Sequence, residues 1–569
     1  MAKPFNFITV LVLMTGCGVC SSASAQDPSY IRYQEPDFLT FTEIQKLAET
    51  SHQEKPLQSK IHTFFRTPII SNEAYYRGVQ PHYPFDPVLG HCLRLVSWNI
   101  EKSIRMKVAI TAFTSEEDYV KLLDLKKAPF LSRKRDSALR QREKLETADI
   151  IVLQEMEIGI KRSGYIHAAR ALAESLDMNY AYGAQYLEVD PVQLGLEKIF
   201  YEDGNTDTEA TDYYTVAPNR YKGVFGSAVL SRYPIKKVEV FPLKTQPYDW
   251  YTSEKKKTTY LEKTRRFGSK TVFQNEITRE IKVGGRHFFR VDLDVPHLPE
   301  GTLTIINIHL EIKCLPKERT EQIQEILSYI RHIQNPVILV GDFNAAWRDL
   351  SPTSIRRAAW RTLKDPTTWL SVIVGNTSPY GFTINFLRLT SNLTKNLFNP
   401  VAPHVPIIMP NHTKKMFTTI ENFRFSDRRA FDFRGDKERS INNKQKMLAN
   451  SNQRGRKGFK TSFSVTRPIA KFIGLYRLDW AFVKPYINDP NDTDAPYRFA
   501  PHFGEIFQDL NNSLDEKISD HHPLCVDLPF NEPSIKNIKR SKKQLALKTI
   551  AFPFKAVLWP FKKIIDVMH

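Results

Sequence analysis

Residues 335–347, NPVILVGDFNAAW, run from an apolar stretch straight into Asp342 and Asn344. Side chains two apart on a strand share a face, so a carboxylate and a carboxamide would leave the strand's end together, where chemistry is usually placed. The same form recurs along the chain. LRLVSWNIEK (93–102) delivers Asn99, ADIIVLQEME (148–157) Glu155, TLTIINIHLE (302–311) His309, RLDWAFVKP (477–485) Asp479, and SDHHPLCVDL (519–528) Asp520 and His521. GSAVLSRYPI (226–235) adds Gly226 and Ser231, which read as structural residues at a tight strand entry and its end. Each polar end alone is what a turn or cap would also need. Their succession within one chain makes the stronger case.

Holding such ends in place takes sheets with helices against them. Ala168, Leu172 and Leu176 in HAARALAESLDMNY follow a period suited to a helix packed on a sheet. Ile323, Ile326, Leu327, Ile330 and Ile333 form one apolar helical stripe with charges opposite. Polar stretches at about 187–222, 246–285 and 347–475 interrupt this alternation as insertions, and no internal repeat is present. Within the last of them, residues 412–471 carry sixteen Lys or Arg against five Asp or Glu, interleaved with Phe417, Phe423, Phe425, Phe431, Phe433, Phe459 and Phe463. That mixture suits a nucleic-acid groove, where cations meet phosphates and rings stack on bases. A solvated insertion with a small apolar cluster of its own is the other reading.

With WNI, LQE, GSAVLSR, INIHL, GDFNA, LDWAF and SDHHPL in this order, the sequence resembles the endonuclease/exonuclease/phosphatase superfamily, which includes pancreatic-type deoxyribonucleases, abasic-site endonucleases, bacterial sphingomyelinases and inositol-polyphosphate 5-phosphatases. GDFN and SDHHP are its most specific parts, and it covers most of residues 93–528. The resemblance implies an α/β (α+β) fold: a four-layer αββα sandwich of two mixed β-sheets, with insertions, and a site at the sheet edge where loops converge. It assigns Asn99 and Glu155 to a metal, with Asp520 a further ligand. It assigns Asp342 and Asn344 to positioning or activating water and holding phosphate, makes His309 and His521 the two histidines, and has Asp479 orient the second. The chemistry of these residues agrees. Carboxylate and carboxamide oxygens suit Mg²⁺ or Mn²⁺ rather than zinc, and such an ion neutralises charge on a phosphoryl oxygen. An Asp beside a His fixes the imidazole tautomer and favours the charged ring. His522 receives no role. Glu101 and the Arg279-Glu280 pair, the latter a partner for His309, read as surface or structural residues.

A formal charge of +19 suits polyanions or an anionic membrane surface and identifies neither. Residues 1–25 read as an export signal, because the apolar stretch Phe5 to Met14 is too short to span a bilayer. Ala23-Ser24-Ala25 forms a cleavage site, while Met14-Thr15-Gly16-Cys17 resembles a lipoprotein box that would end the leader before Cys17; both stay open. The protein is therefore expected to be exported: periplasmic, lipid-anchored or secreted. Beyond the leader the chain divides into an N-terminal extension (26–92), a catalytic domain (93–530) and a basic amphipathic tail (531–569). Phe552, Phe554, Trp559 and Phe561 in the tail could enter a membrane interface between lysines, and docking on the body is the alternative. Cys92, Cys314 and Cys525 read as small core residues with no metal-binding spacing.

These features point to an exported, divalent-metal-dependent phosphoesterase, foremost a phosphodiesterase or nuclease acting by in-line attack of water. A phospholipid or phosphoinositide phosphoesterase at a membrane surface, sphingomyelinase-like, is the alternative within the class. Outside it stands a catalytically idle protein that binds polyanions or membranes. The partners expected are accordingly nucleic acid or a phospholipid headgroup, with peripheral membrane contact through 531–569.

Overall fold

Each of the seven polar-ended runs contains a strand. The computed structural model describes residues 30–87, 89–198, 214–255, 280–298, 300–344, 412–431, 462–469, 473–476, 478–487, 497–499 and 503–531. The leader, most of the basic insertion, and the tail beyond Asn531 lie outside the described residues.

Strands are numbered in chain order. The larger sheet has the order β1 (Tyr33–Gln34), β2 (Ile69–Ser71), β6 (Asn179–Glu188), β7 (Val224–Ser231), β5 (Ile150–Ile158), β4 (Gly90–Asn99), β19 (Leu524–Pro529), β18 (Phe503–Ile506). Two short strands attach to it, β3 (Phe85–Asp86) on β4 and β9 (Lys282–Gly284) on β6. The second sheet runs β15 (Asp479–Lys484), β12 (Val337–Asp342), β11 (Thr302–His309), β10 (His287–Asp294), β8 (Ile235–Pro242). Both sheets are mixed: β4 with β5, and β11 with β12, are parallel, and the other pairs are antiparallel. Two small ribbons complete the strands, β13 (Phe463–Ile469) with β14 (Ile473–Tyr476) and β16 (Tyr486–Ile487) with β17 (Tyr497–Arg498). β1 and β2 show that the stretch before residue 93 contributes to the larger sheet.

Alternation along the strands builds the layers. Leu93 and Leu95 of β4, Ile150 and Val152 of β5, Ile338 and Val340 of β12, and Ala481 and Val483 of β15 share one core between the sheets. Their neighbours point outward. Val96, Trp98, Ile151 and Leu153 meet the helices Phe41–Glu49, Met106–Thr114 and Ala168–Ser175. Val337, Leu339, Trp480 and Phe482 meet the helices Pro316–Ile330 and His412–Asn422. The result is the four-layer αββα sandwich. The helix Pro316–Ile330 starts where its sequence says it should, with Pro at its first position and the Glu318 carboxylate accepting the Leu315 N–H at 2.7 Å. Its stripe Ile323, Ile326, Leu327 and Ile330 is buried.

The rings of the basic insertion correct one reading. Phe417, Phe423, Phe425 and Phe431 are buried in the outer core of the second sheet, Phe417 lying 4.8 Å from Trp480. They cover the sheet and are unavailable for stacking on bases, because burying four large rings is worth more to the fold than exposing them. Phe463 is buried as well, against the His521 ring at 4.9 Å. Phe433 and Phe459 lie outside the described residues. The segment is further pinned by Asp427, which pairs at 2.6 Å with the fully buried Lys484 of β15. Cys92, Cys314 and Cys525 are buried free thiols.

Candidate active site

Three adjacent strands of the second sheet end in one row. Strand register sets His309 opposite Asp342 and Asp342 opposite Asp479. Counting back by twos, these side chains share the inward face with Ile305, Val340 and Ala481, so the row continues the inter-sheet core at its open end. Gly341 allows the close pairing: at φ +137° its missing Cβ would collide with the Ile308 carbonyl. The strand ends at Asp342. Asn344, at φ +48°, has left the extended conformation, so the two-apart rule no longer governs where it points. Its N–H donates to Asp342 Oδ1 at 2.8 Å and its amide to the Leu310 carbonyl at 3.0 Å, tying together the loops after β11 and β12.

The larger sheet faces this row with β4 and β5. Asn99 pairs with Gln154 in parallel register. Between Leu153 and Met156 the register of β5 with β7 slips, and of the two residues inside that irregularity, Gln154 and Glu155, it is Glu155 that takes a left-handed φ of +59°. A bulge re-aims a side chain, here a carboxylate, at the sheet's end. The Asn99 amide donates to Glu155 Oε1 and to Asp342 Oδ2, both at 3.1 Å, and so joins the two sheets. Glu101, Lys102 and Ser103 follow with φ of 45°, 55° and 56°. This turn holds Glu155: the Lys102 N–H donates to its Oε2 at 3.1 Å and the Ser103 hydroxyl to its carbonyl at 3.2 Å.

The SDHH loop closes the site. Ser519 donates to the Asn99 carbonyl at 2.7 Å and accepts the His521 N–H at 3.0 Å, while the Trp98 indole donates to the His521 carbonyl at 3.1 Å. His521 Nδ1 then lies 2.9 Å from Asp479 Oδ2, and Nε2 lies 3.8 Å from Asp342 Oδ2. His309 Nε2 is 3.8 Å from Glu155 Oε1 and 3.9 Å from Asp342 Oδ2. Asp520 enters through its backbone, whose N–H donates to Glu101 Oε2 at 3.1 Å. His522 turns away to Asn511, whose amide approaches its Nδ1 at 3.2 Å.

All eight residues singled out from the sequence thus converge. Glu101 joins them, contrary to the surface or structural reading. Glu280 does not reach His309: it is buried and ion-paired with Lys102 and Lys282. Arg279 lies outside the described residues. Sequence reasoning passed over Asn307 and Gln154, whose side chains bond at 2.8 Å beneath the site and cross-link the sheets. The signal was there, since Asn307 sits two before His309 and Gln154 one before Glu155. Ser462 was also missed; its hydroxyl accepts the N–H groups of Leu478 and Asp479.

Burial sets the electrostatics, with charge partners deciding individual outcomes. Burial and then the charges of Arg286 and His521 push His309 well below the usual histidine range, leaving a neutral ring. Burial pulls His521 the same way, but Asp479, by charge and hydrogen bond, together with Asp342 and Asp520, holds it well above that range. Burial pushes Asp342 and Asp520 each up to about 6. Burial, then Asp520 and Glu155, push Glu101 up to about 7.

This crowding of oxygen donors is what a hard divalent cation would relieve. The carboxylates of Glu101, Glu155 and Asp520, which repel one another across the site, are oxygen donors of the kind that suits Mg²⁺ or Mn²⁺, while Asn99 turns its NH₂ to Glu155 and Asp342 and its carbonyl oxygen to the Glu101 N–H. Among the described residues, the acidic and histidine group whose ligand atoms lie within 4.8 Å of one another is Asp342, Asp479 and His521. That trio is better described as a charged histidine neutralised by carboxylates, since its shortest contact is a hydrogen bond that engages both Nδ1 and Oδ2.

The family model described as Endonuclease/Exonuclease/phosphatase family matches residues 96–521. No curated protein matches the chain. Among solved structures, the chain is similar to an endonuclease/exonuclease/phosphatase from Beutenbergia cavernae DSM 12333, at 15% identity and TM-score 0.33, covering 77% of this chain and 71% of that one. It is similar to the human Nocturnin catalytic domain with bound sulfate anion, at 11% identity and TM-score 0.29, covering 79% and 98%. It is also similar to an AP endonuclease from Archaeoglobus fulgidus, at 11% identity and TM-score 0.32, covering 76% and 98%. The family match spans most of the chain and contains every site residue described above. The chain therefore belongs to the endonuclease/exonuclease/phosphatase family and is an enzyme that hydrolyses phosphoester bonds.

Proposed function

We propose that the protein is a divalent-cation-assisted phosphodiesterase in which Asp342 takes a proton from the attacking water. The observation that carries this reading is the in-register row His309, Asp342 and Asp479, completed by His521 at 2.9 Å from Asp479. His521, held as an imidazolium, is already charged and is a poor base. It donates instead to a phosphoryl oxygen, as does neutral His309 from Nε2. Asp342 faces both histidines, and its oxygens are fixed by the Asn344 N–H and the Asn99 amide, so it can orient water for in-line attack. Asn99 and Glu155, with Glu101 and Asp520 beside them, would hold Mg²⁺ or Mn²⁺, which supplies charge neutralisation at the phosphoryl oxygen.

The leader at 1–25 supports export, and the tail at 531–569 supports peripheral contact with a membrane. Burial of four insertion phenylalanines removes much of what favoured nucleic acid, so a phospholipid diester is the second reading. The test is incubation of the purified protein with DNA, RNA, sphingomyelin and phosphoinositides, each with Mg²⁺ or with chelator. Turnover of a diester that disappears on chelation is expected. Activity indifferent to chelator, or on monoesters alone, would overturn the proposal, and no turnover on any substrate would favour the idle binding protein.

A further inference from the structure

Four of the most exposed large apolar side chains lie in one stretch of the molecule: Ile104 at 46%, Leu125 at 53%, Phe130 at 69% and Leu131 at 99%. Leu131 stands out twice. Its φ of +61° is a left-handed backbone that a branched residue rarely adopts, and its side chain is held wholly in solvent. Such an arrangement returns nothing to the fold. Around these residues the charge is one-sided, since residues 124–135, DLKKAPFLSRKR, carry five basic residues and one acid. Lys126 and Arg133 are exposed, and the Arg135 guanidinium covers the Phe130 ring at 4.6 Å.

The segment is rigidly placed. Leu123 bridges to Leu514, the Asp124 N–H donates to the Ser513 carbonyl at 2.9 Å, Lys127 donates to the Leu514 and Asp515 carbonyls at 2.9 and 2.6 Å, and Lys134 to that of Asn512 at 3.1 Å. Ile104 belongs to the same surface because its neighbour Arg105 pairs with Glu516 at 3.2 Å. That edge leads into Ser519, Asp520 and His521. Lys517 in that edge feels the charges of Asp520 and Glu101 as well as those of Lys127 and Lys134, so the segment lies on the Asp520 side of the candidate site.

We propose that Phe130 and Leu131, with Leu125 and Ile104, form a membrane-docking surface that inserts into the headgroup region of an anionic bilayer while Lys126 and Arg133 meet lipid phosphates. A nucleic acid would use the cations but leave the apolar tip in water. A bilayer interface takes both, as interfacial segments with aromatic and aliphatic side chains among basic residues do. None of these residues belongs to the tail at 531–569. The proposal rests on the phosphodiesterase reading only in placing the surface beside that site.

The test uses the full-length chain with chelator present, so that binding is read without turnover, and failure to bind stays distinct from failure to hydrolyse. Sedimentation is measured with vesicles of phosphatidylcholine alone or mixed with phosphatidylserine, for wild type, F130S/L131S and K126E/R133E. All four residues are exposed, and none belongs to the catalytic machinery. Wild type is expected to partition onto the anionic vesicles. Each double variant should partition about tenfold less or weaker still, with unchanged hydrolysis of a soluble diester. No binding by wild type would overturn the proposal. So would undiminished binding to the anionic vesicles by either F130S/L131S or K126E/R133E.

Discussion

Asp479 reaches His521 at 2.9 Å from a strand end buried to within 1% exposure, and that pairing decides which histidine is charged. The consequence can be read in a pH profile. Asp479 raises the His521 ionisation against the pull of burial, so Asp479→Asn removes the largest raising influence. The folded variant should lose the imidazolium at lower pH, moving the alkaline limb of kcat/KM downward. An unmoved limb would detach His521 from that ionisation. Asn99, His309 and Asp342 were legible because each closes an apolar run, where strand period fixes its direction; Asp479 opens its strand, His521 precedes its strand and Glu155 sits in a bulge, so these three were legible through the succession of motifs rather than through strand period. Glu101 was not. Its carboxylate comes to the site through three consecutive left-handed residues, and no hydrophobic pattern announces such a turn.

The row across β11, β12 and β15 depends on close strand approach at Gly341. Gly341→Ala places a Cβ against the Ile308 carbonyl at a φ that favours glycine. It should cost at least about 2 kcal/mol and misalign His309 with Asp342. Denaturant unfolding and turnover should fall together, and a variant with wild-type midpoint and rate would show the pairing to be looser than described. The seven strands of the polar-ended runs were readable in the sequence, as was the helix stripe from Ile323 to Ile330. β6, β8 and β10 carried no comparable signal. β6 is buried along its whole length, and β8 pairs through β10 at the sheet edge with Lys236 and Lys237 exposed, so neither ends in a cluster that singles it out.

Two sheets that share one apolar core also share one polar end, and of the two readings left open for the Phe-rich insertion the four described phenylalanines favour the apolar cluster. The Phe-rich insertion looked like a binding groove because composition cannot distinguish a ring that stacks on a ligand from one that packs on a sheet. The outward faces of Trp480 and Phe482 needed cover, and Phe417, Phe423, Phe425 and Phe431 supply it. In the proposed mechanism, Glu155 from the larger sheet and Asp342 from the second act at the same phosphorus. Turnover of a chromogenic phosphodiester should therefore be compared across Mg²⁺ concentrations for wild type, Glu155→Gln and Asp342→Asn, with folding checked by circular dichroism. Both folded variants should fall on the order of 10²-fold or more, and Glu155→Gln should need more Mg²⁺. Wild-type turnover in either folded variant would contradict it.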